Sequence, residues 1–224
     1  MSGAEARARG GRILRDQLVD VLVRAESQFA RRGRTLRPLA RVVWRLWGAG
    51  FDLRHGVETT RRVPGEGDGR GYEAMLPWHL TAVLPPSSVS PSDVFVDIGS
   101  GKGRAVLLAA ARYPFKRVIG VELSEDLHRV ATQNVGHYEG NHGPVELVNQ
   151  DVLDWQLPRD ATVLFMFNPF SGSTFKRFIA NVRKSLHEYP RDFRLIYLNP
   201  QMHQIVLDAG FRQTDQCGRV RLYR

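Results

Sequence analysis

The run Val94-Phe95-Val96-Asp97-Ile98-Gly99-Ser100-Gly101-Lys102-Gly103 leaves this chain few ways to fold. A short, mostly apolar segment reads as a buried strand, three closely spaced glycines impose a tight turn, and Ala105 to Arg112 reads as a helix directly after it. Val118 to Glu122 repeats the strand signal, and Ser124 caps a following helix whose first turn carries Glu125 and Asp126, where the helix dipole favours acids. Val145 to Asn149, Thr162 to Phe167 and Leu195 to Leu198 supply further strands, with helical segments near 174–187 and 201–209. Strands alternating with helices make a parallel sheet covered on both faces. Phe211 to Thr214 and Val220 to Tyr223, separated by Asp215-Gln216-Cys217-Gly218, read instead as an antiparallel hairpin. The expected class is α/β, a doubly wound, mostly parallel seven-stranded sheet with a C-terminal antiparallel hairpin and an N-terminal helical extension.

Upstream of this core, Ile13, Leu14, Leu18, Val21, Leu22, Ala25 and Phe29 recur at helical spacing. Thr35 can cap a second helix with Pro38 in its first turn and Leu39, Val42, Val43, Leu46 and Trp47 as its stripe, ended by Gly48 and Gly50. Gly56 to Gly71 shows no period and reads as a loop, the best candidate for a lid; Tyr72 to Leu84 is again helical in pattern. Residues 1–70 are therefore expected to form a basic helical extension and loop, and residues 71–224 the catalytic domain.

Residues 1–48 carry +7 of the chain's net charge of +9. Such a segment can meet nucleic acid, an anionic membrane face or an acidic partner. The chain has only four lysines, however, so the excess also fits a general arginine bias. No base-binding module is recognisable, and Trp44, Trp47, Trp78 and Trp155 fall at positions that read as buried or half-buried, so nucleic acid is possible but not favoured. No apolar run reaches the ~18 residues of a membrane span. The single cysteine, Cys217, points to a reducing, cytoplasmic setting, and the histidine spacing suggests no metal site.

The glycine run does not match a phosphate-binding P-loop, because Gly103 follows Lys102 where Ser or Thr is needed. It also departs from the dinucleotide fingerprint, whose third glycine is replaced by Arg104. Glu122, nineteen residues beyond Gly103 at the end of the second strand, can accept the hydroxyls of a ribose, so an adenosine-containing ligand is indicated.

Val94 to Arg104 resembles motif I of class I S-adenosylmethionine-dependent methyltransferases, and Glu122 resembles the acidic residue of their motif II. The resemblance implies S-adenosylmethionine as cofactor, with Gly99, Ser100, Gly101 and Gly103 forming its loop, Asp97 serving the amino group and Glu122 the ribose. Asp151 matches the acid that meets the adenine amino group, although a turn role is also open to it. Phe167-Asn168-Pro169-Phe170 is similar to the Asn-Pro-Pro-aromatic motif of amino-group methyltransferases but lacks one proline. That similarity implies that Asn168, Pro169 and Phe170 face the acceptor. Residues 71–84 and the element order also look similar to non-SET lysine methyltransferases and to uncharacterised bacterial class I enzymes. The expectation is methyl transfer to an amino nitrogen of a protein side chain or small molecule. The alternatives are a non-catalytic module that binds the adenosyl cofactor and a nicotinamide-dependent oxidoreductase, the latter opposed by Arg104.

Overall fold

The computed structural model describes residues 37–64, 71–138 and 142–224, so the helix expected over Ile13 to Phe29 and its neighbour Thr35 lie outside the described residues. The described chain opens with α1 (Arg37–His55) and α2 (Pro77–Thr81). It then runs through β1 (Val94–Ile98), α3 (Arg104–Arg112), β2 (Arg117–Glu122), α4 (Glu125–His137), β3 (Val145–Asn149) and β4 (Val163–Met166). Last come α5 (Gly172–Glu188), β5 (Arg194–Leu198), α6 (His203–Asp208), β6 (Gln213–Cys217) and β7 (Val220–Tyr223). The strands form one sheet in the order β3-β2-β1-β4-β5-β7-β6. All pairings are parallel except those of β7 with β5 and β6.

Burial on both faces explains the composition of the central strands. Along β1, Phe95 packs into the core on one side of the sheet, while Val94, Val96 and Ile98 pack into the core on the other. The first core also holds Leu107 of α3 and Phe51 of α1; the second holds Phe175, Phe178, Ile179 and Val182 of α5, spaced as one helical face. Because the chain steps outward from β1 through β2 to β3 and then returns to β4 on β1's other side, the strand order reverses between β1 and β4. A crevice forms at the carboxyl ends of the strands at such a reversal. Among the described residues no helix is long and apolar enough to cross a membrane.

The expected α/β class, the seven strands, the mostly parallel order and the terminal hairpin are all present. Three local expectations are corrected. Helix α1 does not end at Gly48 or Gly50 but continues to His55, and Gly56 at φ 65° closes it, with Val57 N–H donating to the Asp52 carbonyl at 3.0 Å. Gly48 serves close packing instead: a Cβ there would lie 2.8 Å from Thr60 Oγ1. The helical pattern read over Tyr72 to Leu84 shrinks to α2, because Tyr72 pairs with Val63 in an antiparallel bridge and residues 73–76 are not helical. In the tail, Asp215, Gln216 and Cys217 belong to β6, and the reversal falls at Gly218, φ 56°, and Arg219.

Candidate active site

A cleft of about 970 Å³ opens at the carboxyl ends of β1 to β4. Its floor is the loop after β1, where Gly99 and Gly101 adopt φ 70° and 55°, a region that L side chains rarely adopt. The loop folds back on β2, since Gly99 N–H and Ser100 N–H both donate to the Val121 carbonyl at 2.9 and 3.0 Å. Glu122 secures it further: Oε2 accepts Gly101 N–H at 2.8 Å and Oε1 accepts Ser124 N–H at 2.9 Å. The carboxylate is thus fixed at the cleft wall with lone pairs left for a ligand.

Asp97, at the penultimate position of β1, is only 3% exposed and borders the cleft. Its carboxylate accepts no hydrogen bond from the described residues. Burial, and secondarily the Glu122 charge, push its carboxyl well above the usual carboxylate range. A cation in the cleft would relieve both effects.

Asp151 also borders the cleft, and its Oδ1 accepts Leu153 N–H at 2.8 Å, so it does hold a turn while facing the ligand space. Ser100 borders the cleft too, whereas Gly103 lies behind it, at φ 82° as the residue before α3. On the far side, Phe167, Pro169 and Phe170 line the cleft. Asn168 does not: it is buried, takes φ 45°, and its Oδ1 accepts the Tyr197 hydroxyl at 3.0 Å. The structure therefore brings together Asp97, Gly99, Ser100, Gly101, Glu122, Asp151, Pro169 and Phe170, and places Gly103 and Asn168 one layer back.

The two glycines of the floor face protein as well as ligand space. A Cβ on Gly99 would sit 2.5 Å from Pro169 Cβ, and one on Gly101 would run into the Tyr72 ring. The turn after β4 and Tyr72 thus close directly on the glycine loop.

Motif reading missed the residues that join the N-terminal segment to this loop. Arg104, 1% exposed, donates from Nε to Thr59 Oγ1 (2.6 Å) and from its terminal nitrogen to Asp52 Oδ1 (2.9 Å), Thr60 Oγ1 (2.6 Å) and the Gly48 carbonyl (3.3 Å). Its guanidinium lies 4.8 Å from the Phe51 ring centre. Burial lowers its pKa, and the Asp52 charge opposes that shift. Lys102 is likewise buried and is bound by both oxygens of Glu58 at 2.6 and 2.7 Å. One signal was available in the sequence: two cations in an otherwise buried strand-loop-helix run require anionic or hydroxyl partners.

A doubly wound sheet, a glycine floor after β1 and acids at the carboxyl ends of β1 and β2 and just after β3 together define a class I, Rossmann-like methyltransferase domain whose cofactor is S-adenosylmethionine. Residues 68–198, more than half of the chain, match the family described as "Histone methylation protein DOT1", and the chain belongs to that family. It is 34% identical over 108 residues, 43% of its length, to a histone-lysine N-methyltransferase, H3 lysine-79 specific, of Caenorhabditis elegans, covering 11% of that protein. It is 31% identical over 85 residues to a protein-lysine N-methyltransferase of Saccharolobus islandicus, across 38% of this chain and 52% of that one. A malonyl-[acyl-carrier protein] O-methyltransferase of Geobacter sulfurreducens is 25% identical over 165 residues, 61% of each chain. The chain thus spans less than two thirds of the length of each of these relatives.

Proposed function

We propose that this protein transfers the methyl group of S-adenosylmethionine to an amino nitrogen, a protein lysine side chain in the first instance. The observation that carries the cofactor reading is Asp97: a buried carboxylate, unpartnered among the described residues, facing the cleft beside a glycine-rich floor. Those residues fit the cofactor's chemistry, since its methionine end brings an ammonium to Asp97 and its ribose brings two hydroxyls to Glu122. The free oxygen of Asp151 suits the adenine amino group. When bound, the cofactor supplies an electrophilic methyl on a sulfonium. The chain's part is then to hold the acceptor in line and to exclude water. Pro169 and Phe170 offer the acceptor an apolar wall, and Asn168, held in its left-handed turn by Tyr197, is a positioning residue for them. Two relatives named for lysine methylation support the amine acceptor. The lone cysteine fits a cytoplasmic location.

The test is a thermal-shift comparison with S-adenosylmethionine, S-adenosylhomocysteine, NADH and ATP. A ligand at about one hundred times its dissociation constant adds ~2.7 kcal/mol. For a domain of this size that raises the midpoint by about 5–10 °C. A shift confined to the two adenosyl-sulfur compounds is expected, and a shift with NADH alone overturns the reading. Methylation of a lysine-containing protein substrate, read by mass spectrometry, then separates an enzyme from a module that only binds the cofactor.

A further inference from the structure

Asn134 projects from α4, is 3% exposed, and does not border the cleft. Its amide nitrogen donates to the Lys102 carbonyl at 2.9 Å and the Glu58 carbonyl at 3.0 Å, and its amide oxygen accepts Glu58 N–H at 2.8 Å. One side chain therefore satisfies backbone groups on the strap that follows α1 and on the glycine loop. The same two segments meet again through Lys102 and Glu58 and through Arg104 and Thr59. Tyr72 closes the circuit, its hydroxyl donating to the Thr59 carbonyl at 2.7 Å while its ring covers Gly101.

A glycine-rich loop loses more backbone entropy on ordering than other sequences, so its shape depends on what surrounds it. Here the surroundings are Glu122 on one side and, on the other, a strap from outside the sheet. We propose that Asn134 is a positioning residue that makes the strap, residues 57–60, and the cofactor loop order as a single unit, so that cofactor affinity depends on a side chain that touches no cofactor. The proposal rests on the reading of the cleft as the S-adenosylmethionine site. Coupling of this kind is reciprocal: whatever factor the joint contributes to cofactor affinity, bound cofactor returns to the order of the strap.

The test uses the full chain carrying Asn134→Asp, which keeps the side chain's shape but sets a carboxylate oxygen against the Lys102 and Glu58 carbonyls. Two readouts are taken: the dissociation constant of S-adenosylhomocysteine by calorimetry, and hydrogen exchange at the amides of Glu58, Thr59 and Thr60. In the wild type, ligand is expected to slow exchange along the strap. In Asn134→Asp the constant is expected to rise by about tenfold or more, through loss of buried hydrogen bonds, and strap exchange to quicken. A merely structural role would lower the melting temperature and leave the affinity of the folded protein within twofold of wild type; that result overturns the proposal. Glu58→Gln covers the case in which Asn134→Asp does not fold, because Glu58 is half-exposed and keeps the backbone groups that Asn134 meets; since its side chain also borders the cleft, weaker binding there counts for the coupling only together with faster strap exchange. A threefold weaker constant with faster strap exchange is expected there, and no change in either overturns the coupling. Failure of the wild type to bind S-adenosylhomocysteine overturns the proposed function itself, whereas wild-type binding with unaltered variants overturns the coupling alone.

Discussion

On the glycine-loop side of the cleft, backbone groups are met by particular side chains, Glu122 for Gly101 and Ser124, Asn134 for Lys102, and buried cations are matched by Asp52 and Glu58. On the opposite side, after β4, Phe167, Pro169 and Phe170 present largely apolar surface, and the polar Asn168 is turned away to Tyr197. The first wall holds charge and direction and suits one fixed ligand. The second selects by shape and dryness, which leaves an incoming chain's polar contacts to be made elsewhere. On that contrast, removing a side chain that holds the first wall in place should cost stability and cofactor affinity together, and damage to the second should spare the cofactor.

The largest effect is expected from a chain beginning at Gly71, which follows the boundary read from the sequence. Arg104, 1% exposed in the whole chain, then loses Asp52, Thr59 and Thr60 as partners and the Phe51 ring beside it. Stripping one partner from a buried ion pair costs about 3–5 kcal/mol. Urea denaturation checks this, and a truncated chain as stable as the whole would break the comparison at its root. Next comes Gly101→Ala, where a left-handed backbone costs ~1–2 kcal/mol and displacing the Tyr72 ring ~1–3 kcal/mol more. An unshifted melting temperature would mean that Tyr72 does not close on the loop.

Asp97→Asn separates binding from stability. Cofactor affinity is expected to fall by about 10- to 100-fold through loss of a charged hydrogen bond. The fold, by contrast, holds the Asp97 carboxyl's pKa above its unfolded value, so its stabilising contribution is present in acid and is lost as pH rises through the folded pKa. The Asn variant should therefore gain stability relative to wild type as pH rises from the ordinary carboxylate range through the folded pKa. Parallel melting curves over that range would show that Asp97 is solvated. The smallest effect belongs to Tyr197→Phe, which keeps the ring stacked at 5.4 Å on Phe175 but frees Asn168. A loss of about 1 kcal/mol is expected, with slower methyl transfer and an unchanged constant for S-adenosylhomocysteine. A weakened constant would show that the two walls are not separable.

The sheet was legible because its signals are local. Apolar runs bounded by polar residues locate β1 and β3 to the residue, and Ser124 marks the start of α4 through its own chemistry, accepting Leu127 N–H. What escaped was long-range. Gly48 looks like a helix stop until Thr60 packs against it and Arg104 reaches its carbonyl. Tyr72 fits a helical period, yet its pairing with Val63 decides its conformation. Arg104 read only as a missing glycine, because its partners lie 44 to 56 positions away along the chain. The candidate site divides in the same way: motifs pointed to the loop, Asp97, Glu122 and Asp151, which border one cleft, whereas the strap and Asn134 carry no motif.

The seat of Pro169 over Gly99 bears on how new specificities could arise in this architecture. A Cβ at position 99 would overlap the proline, so the glycine floor and the turn after β4 are cut to each other's shape. Grafting an acceptor turn from another methyltransferase is therefore expected to succeed only as a matched set with its own glycine loop. Transplants confined to residues 167–170 would import a proline or an aromatic ring onto a seat made for another.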